Sequence, residues 1–264
     1  MRFFANIVIK PYIVRSGYRS LCEIGAQLGN NTEELLEIDS LVIDIIDPCL
    51  DADLCEAYRD NKRVQVHKGI SLDVLQRISD QFDCILIDGD HNWYTVYNEL
   101  RTIEDRGLIK PGGTIFFHDV CWPYGRRDMY YQPELIPKEF THPYKRQGIV
   151  RGQSELNGSG RNAGFYNAVY EGGERNGVLK AIEDFLKENR GEYKFFSFEE
   201  EHGLGVLLKT RSTIGNTTFN KYLLIAQYRS FVPRLKEMTR HKFPALYSSL
   251  KELRDKALRK LGKR

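Results

Sequence analysis

Two short apolar segments, each ending in acidic residues and histidine, constrain the fold of this chain more than any other feature. The first, 84–87, leads into Asp88-Gly89-Asp90-His91, and the second, 114–117, leads into His118-Asp119. Between them lie a helical pattern and the helix-breaking residues 110–113, which predict strand, helix, turn and strand. Because parallel strands joined by a right-handed helical crossover end at the same edge of a sheet, three carboxylates and two imidazoles are expected to converge at one ligand-binding edge.

The rest of the chain repeats this alternation of strand and helix. The helix that begins near residue 30 has Asn or Thr as its expected cap, and Ser71 is the expected cap of a later one. The last two strands read as a hairpin. Together these patterns predict an α/β protein with a doubly wound sheet. The further predicted strands are 21–24, 41–46, 63–67, 193–198 and 204–209, and the further helices are 30–37, 51–59, 71–78 and 178–189.

Changes in composition divide the chain into parts. Residues 1–20 are apolar and basic without clear periodicity, and we predict an N-terminal arm there. Residues 21–212 are predicted to form the main domain. Within it, residues 121–173 are rich in aromatic side chains but lack periodicity, which favours a lid or acceptor-binding insertion over a mere connection. Residues 213–264 are predicted to be a basic helical tail.

The tail carries a charge that the small net charge of +3 conceals. Residues 221–264 hold 13 Lys and Arg and 3 Asp and Glu, a net charge of +10. Residues 1–220 hold the other 26 Lys and Arg and 33 Asp and Glu, a net charge of −7. A basic amphipathic helix suits a solvated face or a homo-oligomer contact, peripheral attachment to an anionic membrane, or nucleic acid, in that order of preference. Its apolar stripe consists of Leu246, Leu250, Leu253, Ala257 and Leu261.

Several features favour a cytoplasmic location, with the inner membrane face as the site of any peripheral contact. The five cysteines are scattered and form neither a C-x-x-C pair nor a zinc spacing, so we expect reduced core residues. The apolar run 3–9 is interrupted by Asn6 and followed by Lys10-Pro11 without a cleavage site, which disfavours a signal peptide. No window approaches the roughly 18 apolar residues of a spanning helix.

The turn after the first strand indicates which ligand the sheet edge accepts. Glu23-Ile24-Gly25, followed by Gly29, does not match the G-x-G-x-x-G fingerprint that holds a pyrophosphate. An acidic residue would repel a pyrophosphate, but it could accept a hydrogen bond from a cationic amino group. Asp47 ends the second strand, where a carboxylate can bind the hydroxyls of a ribose. A ligand with an amino acid, a ribose and no phosphate is S-adenosylmethionine.

The sequence resembles the class I S-adenosylmethionine-dependent methyltransferases, and in particular the branch of macrocin-type sugar O-methyltransferases and cephalosporin-hydroxylase-like proteins. EIGAQLG at 23–29 resembles the first motif of that fold, and IDP at 46–48 resembles its second-strand acid. FDCILIDGDHNW at 82–93 and LIKPGGTIFFHDV at 108–120 resemble the fourth and fifth strands of the branch. The resemblance implies a seven-stranded Rossmann-like sheet whose last strand is antiparallel.

The resemblance also implies roles for individual residues. The acids that end the fourth and fifth strands, Asp88 and Asp119, would bind a divalent metal such as Mg²⁺, and His91 would act as the base. Some relatives carry two adjacent acids on the fifth strand, whereas this chain has His118 before Asp119. The residues implied to border the cofactor are Glu23, Gly25, Gly29, Asp47, Gly69, Ser71 and Asp88.

Each candidate at the acidic edge also has a structural interpretation. Asp88 could cap the following helix, although Asp90 could do so as well. His91 could be a structural residue of the first helical turn, and His118 could be a satisfied histidine at the end of a buried strand. Asp119 could initiate a turn. The glycines of the first motif could serve a tight turn alone.

The function predicted from these observations is S-adenosylmethionine-dependent methylation of a hydroxyl on a sugar or glycan, assisted by a metal. Methyl transfer needs an in-line hydroxyl and removal of its proton, and the candidate catalytic residues are Asp88, His91 and His118. The alternatives are methylation of nucleic acid or another small molecule, a nicotinamide dehydrogenase, and a non-catalytic cofactor-binding domain that tethers a partner. The net negative charge of residues 1–220 disfavours a nucleic-acid substrate, and Glu23 disfavours a nicotinamide dehydrogenase.

Overall fold

The computed structural model describes residues 1–210, and its centre is a seven-stranded sheet. The strand order is β3-β2-β1-β4-β5-β10-β9. Strands β1 to β5 run parallel, and β10 is antiparallel to both of its neighbours. The predicted doubly wound α/β sheet with an antiparallel last strand is confirmed. The strands are β1 Ser20–Ile24, β2 Val42–Asp47, β3 Val64–Lys68, β4 Phe82–Ile87, β5 Ile109–His118, β9 Tyr193–Phe198 and β10 Leu204–Lys209.

Helices cover the sheet, and the longest two pack on the same face of it. The α6 residues that alternate by three and four positions, Val96, Leu100 and Ile103, are fully buried and form one core cluster with Ile182 and Phe185 of α7. The spacing that predicted these helices therefore marks their buried faces correctly. The helices are α1 Arg2–Phe4, α2 Lys10–Ser16, α3 Asn30–Leu36, α4 Ala52–Tyr58, α5 Ser71–Leu75, α6 Trp93–Asp105 and α7 Val178–Glu188.

The N-terminal segment is helical, which the sequence did not predict. A π-helical stretch, Ala5–Ile9, joins α1 to α2. Phe4, Ile9 and Ile13 are completely buried, and the ring of Tyr12 packs edge-on against Phe116 of β5 at 5.7 Å. The buried positions 1, 4, 5, 8, 9, 12 and 13 follow the spacing of an amphipathic helix, but Phe3, Ile7 and Val14 are apolar and exposed. These exposed apolar residues explain why the segment lacks a helical pattern in the sequence.

Three local boundaries differ from the predicted ones. Ser71 is the first residue of α5, and Ile70 is its cap. The cap of α3 is Gly29, whose φ of +68° suits glycine, instead of an Asn or Thr. Residues 110–113 lie inside β5, and the pairing of β5 with β4 shifts register at this point instead of being preceded by a turn.

The segment 121–173, for which no periodicity was found, contains a second, small sheet. Its strands are β6 Met129–Tyr130, β7 Tyr144–Lys145 and β8 Tyr166–Ala168, in the order β6-β8-β7. The carboxylate of buried Asp128 anchors this segment to the main sheet. It accepts hydrogen bonds from the backbone amides of Trp93 at 2.7 Å and Gly177 at 2.6 Å, so it serves the starts of α6 and α7 together.

We expect Asp128→Ala to lower the free energy of unfolding by about 3 kcal/mol, because two buried helix-start amides lose their acceptor. Urea unfolding followed by circular dichroism measures this loss. The matched control is Asp51→Ala, since Asp51 is an exposed cap that accepts a single amide, from Asp53, at 2.9 Å. A loss of about 1 kcal/mol is expected there. Equal losses in the two variants would contradict the anchoring role of Asp128.

The predictions about the cysteines and membrane spans can be compared with the structure, whereas those about the tail cannot. All five cysteines are free, but only Cys22 and Cys84 are fully buried, and Cys49 is exposed. No helix within residues 1–210 is long and apolar enough to cross a membrane. The basic tail and the contacts predicted for it lie outside the described residues.

Candidate active site

Four side chains converge where β4 and β5 end. Asp88, His91, His118 and Asp119 each offer one oxygen or nitrogen atom, and these four atoms lie within 4.8 Å of one another. The parallel register pairs Ile87 with Phe117, so the residue after each of these two lies at the same edge of the sheet. The expected convergence is therefore present for both imidazoles and for two of the three carboxylates, whereas Asp90 is not part of the cluster.

An unusual backbone conformation brings two consecutive side chains to the same point. Successive residues of a strand face opposite sides, so His118 and Asp119 would normally diverge. Asp119 instead has a φ of +58°, in the left-handed region, and its Oδ2 lies 2.9 Å from His118 Nδ1. The left-handed conformation costs a non-glycine residue about 1 kcal/mol and is concentrated at functional sites.

Carboxylates and imidazoles are paired within the cluster. Asp119 Oδ2 lies 2.8 Å from His91 Nε2, and Asp88 Oδ1 lies 3.2 Å from His118 Nδ1. Asp88 Oδ2 also lies 3.3 Å from the amino group of Met1. Burial opposes the positive charge of each imidazole, but the neighbouring carboxylates outweigh it and raise the pKa of both His91 and His118 to about 9. The site therefore favours positive charge between its two acids.

The structure excludes one alternative interpretation of Asp88. The cap of α6 is Asn92, whose side-chain oxygen accepts the backbone amide of Thr95 at 2.8 Å. Asp90 accepts the hydroxyl of Thr95 at 2.9 Å. Asp88 therefore caps no helix here and remains directed at the cluster.

The first motif lies directly beside this cluster. A Cβ atom added to Gly25 would lie 2.4 Å from Gly89 Cα, so the turns after β1 and β4 are in backbone contact. Gly29 likewise has no room for a side chain, because its Cβ would lie 2.8 Å from Leu54 Cδ1. Gly25 is required by close approach of backbone to backbone, whereas Gly29 is favoured by its left-handed backbone at φ +68°, and the resulting loop leads straight into α3.

Glu23 is a buried acid with one unsatisfied oxygen. Its Oε2 accepts the hydroxyl of Thr32 at 2.5 Å, while Oε1 has no hydrogen-bond partner within the described part of the chain. Burial raises the pKa of Glu23 to about 7, and the nearby carboxylate of Asp88 adds to this rise. An unpaired buried acceptor is costly, so this position is suited to a ligand that donates a hydrogen bond.

The other residues predicted to border the cofactor follow β2 and β3 along the same edge. Asp47 is buried, and its oxygens accept the backbone amides of Gln27 at 2.7 Å and Cys49 at 2.6 Å, which fixes the loop after β1. Each oxygen retains a second lone pair for a hydroxyl group. Gly69, with φ +154°, leads into Ser71 at the start of α5.

These features fit S-adenosylmethionine and do not fit a dinucleotide. Unpaired Glu23 Oε1 can accept from the ammonium of the methionine part, and Asp47 can accept from the ribose. A pyrophosphate at this edge would face the carboxylates of Glu23, Asp47 and Asp88, which would repel it.

Three aromatic residues, Tyr124, Tyr131 and Phe165, form an aromatic wall beside His91. The sequence did not identify them individually. The rings of Tyr124 and Tyr131 lie 5.5 and 6.2 Å from the imidazole, and Phe165 lies 5.7 Å from Tyr131. Tyr131 is 52% exposed and Phe165 is 40% exposed. The density of aromatic residues in 121–173 was the available signal, but without periodicity it could not indicate which rings face the site.

Glu99 of α6 is a second buried acid that the sequence did not single out. It is fully buried, and neither carboxyl oxygen has a hydrogen-bond partner within residues 1–210. Burial raises its pKa to about 8 and outweighs the opposing effect of the nearby Ser71 hydroxyl, while Asp90 adds to the rise and His91 opposes it. Glu99 is therefore protonated in the folded protein at neutral pH.

Replacing Glu99 with glutamine should stabilise the protein at neutral pH. Between pH 4.5 and 8 the folded protein retains a proton on Glu99 that the unfolded chain has lost, so the stability of the wild type falls as pH rises through this window. Glu99→Gln removes this dependence and should raise the free energy of unfolding by up to about 3 kcal/mol at pH 7.

Urea unfolding at pH 5 and pH 7 tests this expectation, because the advantage of the variant should be small at the lower pH. The control is Glu33→Gln, at an exposed position of α3. A variant that is less stable than the wild type at both pH values would show that Glu99 is not a buried neutral acid.

One family model matches part of the chain in sequence. Residues 20–120 match the family model described as a methyltransferase domain. This range covers β1 to β5 and both loops that hold the cluster. No curated protein matches the chain in sequence.

Several solved structures are similar to this chain at low sequence identity. A putative caffeoyl-CoA O-methyltransferase from Staphylococcus aureus is 15% identical, with a TM-score of 0.48 over 79% of this chain and 84% of its own. An O-methyltransferase from Bacillus cereus in complex with SAH is 17% identical, with a TM-score of 0.46 over 77% and 80%. The O-methyltransferase TomG from Streptomyces achromogenes in complex with SAM is 14% identical, with a TM-score of 0.47 over 78% and 79%. The family match at residues 20–120 and the strand order of the sheet therefore both agree with the methyltransferase that the sequence predicts.

Proposed function

We propose that this enzyme transfers the methyl group of S-adenosylmethionine to a hydroxyl of a sugar or glycan, assisted by a divalent metal such as Mg²⁺ at Asp88 and Asp119. The observation that carries the proposal is the cluster at the ends of β4 and β5, where two carboxylates and two imidazoles meet next to the cofactor motif. S-adenosylmethionine supplies an electrophilic methyl group when bound. A hydroxyl acceptor must then be positioned and must lose its proton.

His91 is oriented to accept that proton. Its Nδ1 lies 2.9 Å from the carbonyl oxygen of Gly89, which can only accept a hydrogen bond, so Nδ1 carries a hydrogen. In the neutral ring the lone pair is then on Nε2, which faces the cluster 2.8 Å from Asp119 Oδ2. The carbonyl of Gly89 therefore keeps the basic nitrogen directed at the position that an acceptor hydroxyl would occupy.

The two acids, Asp88 and Asp119, offer carboxylate ligands for a divalent metal. Asp88 and Asp119 would hold the ion, whose charge favours the deprotonated form of a bound hydroxyl. Because few protein ligands would hold the ion, two neighbouring hydroxyls of a sugar could also bind it.

The aromatic wall of Tyr124, Tyr131 and Phe165 supports a sugar acceptor. The half-exposed rings of Tyr131 and Phe165 present apolar faces at the edge of the cluster. The C–H face of a sugar ring stacks on such surfaces, while its hydroxyls point to polar groups. Methylation of nucleic acid, methylation of another small molecule and a non-catalytic binding domain are the competing outcomes of the following test.

The full-length protein is incubated with S-adenosylmethionine carrying a radiolabelled methyl group and with three separate acceptor panels: nucleotide sugars and oligosaccharides, RNA, and small phenols. We expect label in a carbohydrate, and we expect it to be lost when a chelator is added and in Asp119→Asn. Label confined to RNA or phenols would overturn the acceptor class. Binding of S-adenosylmethionine without transfer to any panel would favour the non-catalytic alternative.

A further inference from the structure

We propose that His118 is a direct metal ligand, and that the resulting set of two carboxylates and one imidazole selects a transition ion such as Mn²⁺, Fe²⁺, Co²⁺ or Zn²⁺ over Mg²⁺. The inference rests on the metal assistance proposed above but goes beyond it, because it assigns a role to His118 and determines the class of ion.

The orientation of His118 is the first step. Its Nε2 lies 3.1 Å from the carbonyl oxygen of Glu201, which only accepts hydrogen bonds, so Nε2 carries the hydrogen. In the neutral ring, Nδ1 then has a free electron pair. That nitrogen faces Asp119 Oδ2 at 2.9 Å and Asp88 Oδ1 at 3.2 Å, so three donor atoms surround one point. The point suits a positive centre, which is either the proton of the imidazolium or a metal ion that replaces that proton.

The backbone partner of His118 supports this interpretation. Histidines that bind a metal through one ring nitrogen commonly donate a hydrogen bond from the other to a backbone carbonyl, which fixes the tautomer and the ring direction. His118 has such a partner in the carbonyl of Glu201. This contact fixes the ring so that Nδ1 faces the two acids.

The spacing of the donor atoms is also suitable. Metal–ligand bonds of about 2.1 Å at right angles place neighbouring donor atoms about 3 Å apart. His118 Nδ1 lies 2.9 Å from Asp119 Oδ2 and 3.2 Å from Asp88 Oδ1, which are close to this separation. Little side-chain movement is therefore required to close around an ion.

The chemistry of the donors determines the preference. Mg²⁺ is a hard ion that favours oxygen ligands and water, whereas imidazole nitrogen suits the later first-row divalent ions. Two aspartates alone would suit Mg²⁺. The addition of His118 Nδ1 shifts the balance toward ions that form strong bonds to nitrogen.

The test measures metal binding in the absence of any methyl acceptor. Metal-free full-length protein is titrated with Mn²⁺ while free Mn²⁺ is followed by electron paramagnetic resonance, and Mg²⁺ is then added as a competitor. We expect Mn²⁺ to bind about 100-fold more tightly than Mg²⁺. Pulsed measurements on the bound Mn²⁺ should show coupling to a ¹⁴N nucleus.

The variant His118→Asp replaces the nitrogen donor with oxygen. We expect the ¹⁴N coupling to disappear and the preference for Mn²⁺ over Mg²⁺ to fall by about tenfold or more. His118→Asn, checked by circular dichroism, serves as a second variant. The matched control is His67→Gln, because His67 also pairs with an aspartate, Asp44, at 2.7 Å, but lies on β3.

Two results would overturn the proposal: a wild-type site that binds Mg²⁺ as tightly as Mn²⁺, or a ¹⁴N coupling that survives in both His118 variants and disappears in His91→Asn. Because no acceptor is present, these readouts do not depend on the acceptor class. Nitrogen-bound Mn²⁺ in a protein that methylates no carbohydrate would refute the sugar acceptor and leave the role of His118 intact.

Discussion

His91→Ala is expected to lower kcat for methyl transfer by about 10² to 10⁴-fold, because the variant loses the only imidazole nitrogen that Gly89 directs at the acceptor position. The affinity for S-adenosylmethionine should change little, since Glu23 and Asp47, which are expected to contact the cofactor, remain in place. The measurements are kcat from radiolabelled methyl transfer and the cofactor dissociation constant from calorimetry.

Rescue by a soluble base separates proton transfer from a structural effect. Imidazole added to His91→Ala should restore part of the lost rate, because a small base can enter the space vacated by the side chain. The control is His67→Ala, which removes a histidine of β3 outside the cluster, and added imidazole should not raise the rate of this variant. A His91→Ala enzyme with near wild-type kcat, or one whose defect lies entirely in cofactor affinity, would contradict the assignment of His91 as the base.

The location of the site could be predicted because it depends on local signals. An apolar run that ends abruptly in polar residues marks the end of a buried parallel strand, and topology brings two such ends together. These two signals were enough to place Asp88 and His118 at the same edge of the sheet. The inward turn of Asp119 could not be predicted, because a left-handed backbone at a non-glycine residue depends on tertiary contacts that its own sequence does not reveal.

The parts of the fold that the sequence failed to predict share a physical cause. The N-terminal helix was missed because Phe3, Ile7 and Val14 are apolar but exposed, so the sequence shows no polar face. Glu99 was overlooked because an acid on an amphipathic helix is normally exposed. The aromatic wall was not resolved because Tyr131 and Phe165 are placed by the small sheet and its loops instead of by a repeating pattern. In each case the deciding contacts join residues far apart in the sequence.

Gly25→Ala is expected to weaken S-adenosylmethionine binding by about 100-fold, because the added methyl group would force apart the two turns that we propose to hold the cofactor and the metal. The new Cβ would lie 2.4 Å from Gly89 Cα, 2.5 Å from Gly89 N and 2.6 Å from the carbonyl carbon of Asp88. All three are backbone atoms, so no side chain can rotate away. Displacement of the turn after β4 would also move Asp88, and methyl transfer should fall along with cofactor affinity.

Gly112→Ala separates this clash from the cost of the backbone conformation. Gly25 and Gly112 have φ angles of +87° and +80°, but a Cβ at Gly112 would meet no atom within 4 Å. Both variants should lose about 1 kcal/mol of stability from the left-handed backbone, and only Gly25→Ala should lose cofactor affinity. Calorimetric titration with S-adenosylmethionine and urea unfolding of both variants provide the comparison. Since the two substitutions differ mainly in steric contact, equal cofactor affinities would show that the contact between Gly25 and Gly89 does not shape the cofactor site.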